Sequence, residues 1–443
     1  MRWLDRWLGV PLCFLLSFGA RWHNLRVRGV AAGRPRRALC IQLAEMGSLV
    51  LAGPAVHWLH SRGVTPWFVS FARNGECLSV AGLVPAERVF LWRTRNPWVF
   101  LLDFFRFLRW TAQQGFDAAI DFEPCSRFSA LLGLLAGARL RAGYTHQSAY
   151  RGRLHSVPVP YRNDRHMSEN CLALAAALLP GEPLPDLMRA EQAWRAQLPR
   201  SGDSSAGERV RALLARTFPG HAATNQLLLL NPNAGDLLPQ RRWPPDRYIE
   251  LARRLLARYP QACIGFIGSP AETAAVEAVA AAVDSPRCAS LAGALSVAEL
   301  PALYARCLLL VSNDSGPAHI ASLTATPTVV MFGPETPLLY RPLGRARPLY
   351  AAVPCSPCVS AANQRRCNCA DNLCMQAISV GSVLAEVAAI VDAAGKSDRR
   401  RASADFRLPN KADTSAGRLK SSGGHPCAPR SRPIHLLAVE PDR

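Results

Sequence analysis

Short apolar runs, each stopped by a polar or glycine-containing turn and followed by a helical period, recur along most of this chain. Ala38–Leu43 is such a run; it ends at Glu45-Met46-Gly47-Ser48, and Leu49–His60 then reads as a helix. Pro66–Phe71, Ala118–Asp121 and Arg139–Tyr144 continue the strand signals, with helical patterns between them. After a stretch rich in Pro, Gly, Ser and Asp the pattern restarts. Strands are predicted at Leu227–Leu230, Ala262–Ile267 and Ala289–Leu291, and helices over Asp246–Tyr259, Val276–Val283 and Val297–Cys307. Strand-length apolar runs alternating with helices are the signature of parallel strands joined by helical crossovers. Two successive sets predict an α/β chain with two Rossmann-like domains facing a central cleft. The expected organisation is a basic amphipathic segment over 1–37, a first domain over 38–185 and a linker region over 186–223. A second domain follows over 224–395, then a disordered tail over 396–443 that is rich in Arg, Ser, Gly and Pro.

The most informative stretch is LLLVSNDSGPAHIASLTATPTVVMFGP, residues 308–334. A buried run, Leu308–Val311, stops at Ser312-Asn313-Asp314-Ser315-Gly316. Pro317 opens a helical pattern, and a second run, Thr328–Phe332, stops at Gly333-Pro334. This is a parallel crossover whose turn lies at the carboxyl end of a strand, where open α/β sheets bind ligands. Ser315 and Gly316 let a ligand approach the backbone, and the following helix start offers N–H groups and a positive dipole end to a phosphate. Asn313 to Pro317 alone is equally well an ordinary turn with a helix cap.

The longer string decides between the two. Asn313-Asp314-Ser315-Gly316-Pro317-Ala318-His319, Thr326-Pro327-Thr328 and Phe332-Gly333-Pro334 closely resemble the C-terminal signature of glycosyltransferase family 9, the bacterial heptosyltransferase-like enzymes of lipopolysaccharide core assembly. In element order the resemblance extends over roughly residues 38 to 390. It implies the GT-B architecture, with the acceptor on the first domain and a nucleotide-diphosphate sugar on the second.

On the donor side, Asn233 in Asn231-Pro-Asn-Ala-Gly235 follows the first strand of the second set, where it and nearby N–H groups suit phosphate oxygens. Arg241 matches a basic residue that contacts the donor in similar enzymes, and a guanidinium fork suits phosphate. Glu272 is placed to accept ribose hydroxyls, or simply to start a helix. Asp314 is the candidate for sugar hydroxyls, Ser315 and Gly316 for the diphosphate, and His319 for a phosphate contact. The first domain departs from the family pattern. Where similar enzymes carry Gly-Asp, the Asp being the general base, this chain has Gly47-Ser48. A serine without an activating partner cannot take up that proton near neutral pH. Glu45, in the same turn, is therefore the expected base, with Ser48, Asp121 and Arg127 at the acceptor and Asp121 or Glu123 as reserve bases.

The net charge of +20 calls for an anionic partner, and it is concentrated at the ends: +7 over residues 1–37 and +6 over 396–443. No nucleic-acid-binding motif accompanies it, so no nucleic-acid partner is expected. The run Leu8–Ala20 is 13 residues, short of the ~20 needed to span a bilayer. Trp3, Trp7, Phe14, Phe18 and Trp22 alternate with arginines in the manner of a helix lying on an anionic membrane, although packing on the protein's own core gives the same pattern. Nine of the 14 cysteines are scattered singly, as reduced thiols of a cytosolic protein are. The remainder, Cys355, Cys358, Cys367, Cys369 and Cys374, fit either a Zn²⁺ site or a merely cysteine-rich loop.

The expected function is an inverting transfer of a sugar, heptose by the resemblance, from a nucleotide diphosphate (ADP-heptose by the resemblance) to a lipopolysaccharide-core, lipid-linked or polysaccharide acceptor. The expected place is the cytoplasmic face of the inner membrane, with peripheral attachment. No Asp-x-Asp motif occurs, and no metal or other cofactor is expected in the chemistry. The rival reading is a catalytically degenerate sugar-nucleotide binder, because the usual base is missing. A Rossmann oxidoreductase is disfavoured by the lack of Gly-x-Gly-x-x-Gly after the first strand.

Overall fold

The computed structural model describes residues 5, 7–29, 33–145, 150–199, 205–220, 226–235, 238–360, 363 and 366–405. Helix α1 (Gly9–Gly29) precedes β1 (Arg37–Ile41), α2 (Met46–Ser61), β2 (Thr65–Phe71), β3 (Val89–Trp92), α3 (Pro97–Gln114), β4 (Ala118–Asp121), α4 (Arg127–Leu135), β5 (Leu140–Thr145), β6 (Val157–Pro160) and α5 (Met167–Ala177). Helices α6 (Leu187–Arg195) and α7 (Ser205–Thr217) connect to the second half. There β7 (Leu227–Asn231), α8 (Pro245–Arg258), β8 (Cys263–Phe266), α9 (Thr273–Val283), β9 (Cys288–Ser290), α10 (Leu300–Tyr304), β10 (Cys307–Asn313), α11 (Gly316–Ala321), β11 (Thr328–Phe332), β12 (Ala346–Tyr350) and α12 (Val380–Asp405) follow.

The strands form two six-stranded sheets, ordered β3-β2-β1-β4-β5-β6 and β12-β11-β10-β7-β8-β9. Every pairing among them is parallel. Read from each half's own first strand, the two orders are the same, and each sheet reverses winding between its first and fourth strands. That switch point opens a crevice at the strands' carboxyl ends. Alternate residues of β1 serve opposite faces. Leu39 and Ile41 pack with Phe107 of α3 and Leu132 of α4, whereas Ala38 and Cys40 pack with Leu49–Leu51 of α2 and Cys171 of α5. The two-domain α/β expectation therefore holds in its architecture.

The halves are not separated by an open gap along their whole length. One apolar cluster contains Val50 and Leu59 of α2 together with Ala318, Val330 and Phe332 of the second half. At one edge the Tyr161 and Tyr340 hydroxyls lie 3.4 Å apart, His166 Nε2 meets the Arg341 carbonyl at 2.7 Å and Glu191 Oε1 accepts from the Gly344 N–H at 2.7 Å. Residues 186–223 are split between the halves: Trp194 of α6 joins the first core, and Val210 and Leu214 of α7 pack on β7 and β8.

Several boundaries differ from the sequence reading. Helix α2 starts at Met46, with Glu45 as its N-cap residue. The helix expected over Val297–Cys307 is a single tight turn plus Leu300–Tyr304, and Cys307 already opens β10. The tail expected over 396–443 begins in regular structure, since α12 continues to Asp405; residues 406–443 lie outside the described residues. Trp3 and the side chain of Trp22 lie outside them too. Among the described residues no helix is long and apolar enough to cross a membrane.

Candidate functional site

At the switch point of the second sheet, side-chain hydrogen bonds knit together the loops after β7, β8 and β10. Asn231 Nδ2 donates to the Ser312 and Ser315 hydroxyls, both at 3.0 Å. Asn313 Nδ2 donates to the Pro232 carbonyl at 2.9 Å, and its Oδ1 accepts from the Trp243 N–H at 3.0 Å. Asn233 Nδ2 reaches the Ile267 carbonyl at 3.4 Å. These contacts fix the β10 turn and hold the Ser315–Gly316 backbone at the start of α11 on a rigid base.

The charged groups converge on Arg241. Its Nη1 donates to the Asp314 carbonyl at 3.2 Å, its Nε lies 3.7 Å from Asp314 Oδ2, and its Nη2 lies 3.3 Å from Glu335 Oε2. His319 Nε2 is 3.9 Å from Asp314 Oδ1. Asp314, Glu335 and His319 are all buried. Sequence reasoning missed Glu335, the residue immediately after Phe332-Gly333-Pro334. An acid at the carboxyl end of β11 was the available signal.

The first half meets this cluster where the head of α2 approaches the start of α11. A Cβ built on Gly47 would lie 2.6 Å from His319 Cδ2, and one on Gly316 would lie 2.9 Å from Met46 Cε. At Gly47 a side chain would collide with the His319 ring, whereas at Gly316 the end of the flexible Met46 side chain would have to move. Glu45, partly exposed at the head of α2, therefore stands on the first half's wall beside the α11 start.

Glu123 holds that wall. Its Oε1 accepts from Gln42 Nε2 at 2.9 Å, the Leu43 N–H at 2.8 Å and the Ala44 N–H at 2.9 Å. Burial pushes the Glu123 carboxyl up to about 7, reinforced by the Asp121 and Glu45 carboxylates and opposed by the two N–H donors. Glu123 is thus a positioning residue for the Glu45 loop.

Four expected site residues lie elsewhere or are already engaged. Arg127 is not at an acceptor surface: it is 2% exposed, Nη1 pairs with Asp5 at 3.2 Å, and Gly9 of α1 covers it. Asp121 is likewise sealed in, paired with Arg151 at 2.7 Å, 3.3 Å from His155 and accepting from Ser129 at 3.0 Å. Ser48 is buried in the first turn of α2. Glu272 folds back as a helix cap, its Oε2 accepting from the Ser269 N–H at 2.8 Å and hydroxyl at 2.7 Å. The structure brings together Glu45, Asn233, Arg241, Asp314, Ser315, Gly316 and His319.

Behind the Gly333-Pro334 turn, Cys355, Cys358, Cys367, Cys369 and Cys374 line a cavity of about 490 Å³. Cys358 and Cys367 approach to 3.4 Å, and burial pushes the Cys358 thiol up to about 12. Among the described residues no three His, Cys, Asp or Glu side chains are grouped to hold a metal ion.

Residues 104–368 match the family model for glycosyltransferase family 9 (heptosyltransferase). Over 108 residues the chain is 34% identical to lipopolysaccharide heptosyltransferase 2 of Salmonella typhimurium; the match covers 24% of this chain and 30% of that relative's length. A longer match, 24% identical over 317 residues, covers 69% of the chain and 82% of lipopolysaccharide core heptosyltransferase OpsX of Haemophilus influenzae. The fold is similar to that of E. coli ADP-heptose lps heptosyltransferase II, with a TM-score of 0.58 and 21% identity over 80% of this chain and 98% of that one. It is also similar to a family 9 glycosyl transferase from Veillonella parvula, with a TM-score of 0.60 and 18% identity over 80% of this chain and 97% of that one.

Proposed function

The chain belongs to glycosyltransferase family 9, and on that premise we propose that it transfers a sugar, heptose, from ADP-heptose to a lipopolysaccharide-core acceptor with inversion at the anomeric carbon. The observation that carries this reading is the approach of Met46 and Gly47 to Gly316 and His319. It brings the head of α2, which carries Glu45, up to the α11 start and His319 of the other half, and this supports Glu45 as the group that meets the acceptor. Heptose as the sugar and a lipopolysaccharide acceptor follow from the names of the similar proteins, and ADP as the carrier from the name of the similar E. coli heptosyltransferase II.

In the proposed reaction Glu45 takes the proton of the acceptor hydroxyl, whose oxygen bonds to the anomeric carbon from the face opposite the diphosphate. The bond from that carbon to the diphosphate oxygen breaks, and its electron pair leaves with the nucleotide. Arg241 and the Ser315 and Gly316 N–H groups stabilise that charge in a preorganised, partly dry site. Asp314 accepts hydrogen bonds from sugar hydroxyls. Binding of the protein to an anionic membrane surface through α1 brings it to a lipid-linked acceptor. A second reading, donor binding without transfer, draws on Ser48 standing where the family carries its base.

Calorimetric titration with ADP-heptose tests the donor site. The wild type should bind, and Asp314→Ala should bind about tenfold more weakly or worse, a loss of ~1.4 kcal/mol. Unchanged affinity in a folded variant removes Asp314 from the site.

A further inference from the structure

Helix α3 is apolar on two faces. Its inner face is an aromatic layer on the sheet: Phe107 packs on Phe90 and Trp92 with ring centroids 5.5 Å apart, and Phe100 lies 5.2 Å from Trp92. Its outer face carries Trp98, 81% exposed, with Leu101, Leu102 and Phe105 at 46%, 54% and 60%. Steps of three and four residues align these four in one stripe. A second apolar face left open to water on a surface helix marks a partner.

Charge narrows the choice of partner. The only acid of α3, Asp103, is 1% exposed and bound by Arg93 Nη2 at 2.6 Å, with Arg106 at 3.4 Å. The stripe is thus bordered by the exposed residues Arg93, Arg95, Arg106 and Arg109, with no exposed carboxylate on the helix. A second copy of a chain with net charge +20 would bring like charges together there, whereas an anionic surface complements them.

Position points the same way. Helix α4 lies between α3 and α1: its Phe128 packs on Phe100 of α3 with centroids 5.5 Å apart, and its Ala130 and Leu131 cluster with Cys13 and Ala20 of α1. The far side of α1 exposes Phe14, Leu15 and Phe18 at 63%, 63% and 62%. Both flanking helices thus leave an apolar row uncovered.

We propose that α3 is a second membrane-inserting element, its Trp98–Leu101–Leu102–Phe105 stripe entering the interfacial zone of an anionic bilayer beside α1. Only the choice of a bilayer as partner rests on the membrane attachment proposed above. The stripe and its arginine border stand on the structure.

Co-sedimentation of the full chain with phosphatidylethanolamine–phosphatidylglycerol vesicles tests it. Trp98→Ser with Leu102→Ser and Phe105→Ser should weaken partitioning about tenfold or more, since apolar burial drives such binding. The thermal midpoint, and transfer to a lipid-free acceptor fragment, should stay as in the wild type. Equal binding by wild type and triple variant overturns the α3 proposal while leaving attachment through α1 intact. No binding by the wild type to these vesicles removes the membrane reading altogether, and α3 insertion with it. If light scattering shows a wild-type dimer that the triple variant abolishes, the stripe joins two chains and the proposal falls.

Discussion

In the proposed reaction Glu45 and Glu123 divide the work that one aspartate would do at position 48. Glu45 stands at the cleft, and Glu123 pins the loop that carries it through three donors to one oxygen. If Glu45 is the base, Glu45→Gln keeps the shape and should lower turnover by about 10²- to 10⁴-fold with donor affinity unchanged. Ser48→Asp should restore part of the loss. Full turnover in Glu45→Gln would move the base elsewhere. Glu123 has its own pH signature. With its carboxyl raised to about 7, it favours the fold most at low pH, and that contribution fades as pH climbs from the ordinary glutamate range through 7. Thermal midpoints across this window should therefore fall more steeply for the wild type than for Glu123→Gln; parallel curves would assign the proton to another group. At this scale the sequence exposed the second half best. Asp314, Ser315, Gly316 and His319 sit in one contiguous, specific string, whereas the fates of Arg127 and Asp121 depended on partners 122 and 30 residues away. Pairing at that range leaves no local mark.

The segment that leads into helix α1 has a structural role besides the membrane contact proposed for the helix. Asp5 accepts from the Arg127 and Phe128 N–H groups at 3.0 and 2.8 Å, capping α4, and also pairs with the buried Arg127 guanidinium. Deleting residues 1–28 would remove that cap and strand a buried charge, a destabilisation of roughly 3–5 kcal/mol for the broken pair alone. Loss from the membrane fraction after deletion would then report unfolding as readily as detachment. The cleaner variant is Phe14→Ser with Phe18→Ser: it should shift the protein toward the soluble fraction while preserving the thermal midpoint, and an unchanged distribution contradicts the interfacial reading. The central strands β1, β4, β7, β10 and β11 were legible as apolar runs because both their faces are buried. Of the four edge strands, β3, β6 and β12 were not, and β9 was read one residue late. Val157–Pro160 and Ala346–Tyr350 carry proline or arginine and bury only some positions, which is tolerated at an edge but erases the pattern.

Taken whole, the molecule is two copies of one topology meeting at their strand ends, and that duplication was readable from the alternation of strand and helix. How the halves touch was not. The glycines at 47 and 316, the Tyr161–Tyr340 contact and the Glu191–Gly344 bond are pairings between distant segments. Because Arg241 and the Ser315 and Gly316 N–H groups are assigned the leaving group's charge, turnover should survive EDTA. Strict dependence on added Mg²⁺ or Mn²⁺ would contradict that assignment. The central claim is transfer itself. Incubating the purified chain with ADP-heptose and heptose-deficient lipopolysaccharide core, and following acceptor mass together with ADP, tests it most directly. The expected result is a gain of one heptose per acceptor, matched by one ADP released, with the new linkage inverted relative to the donor. Tight ADP-heptose binding with neither ADP release nor acceptor mass gain would contradict it and leave a sugar-nucleotide binder.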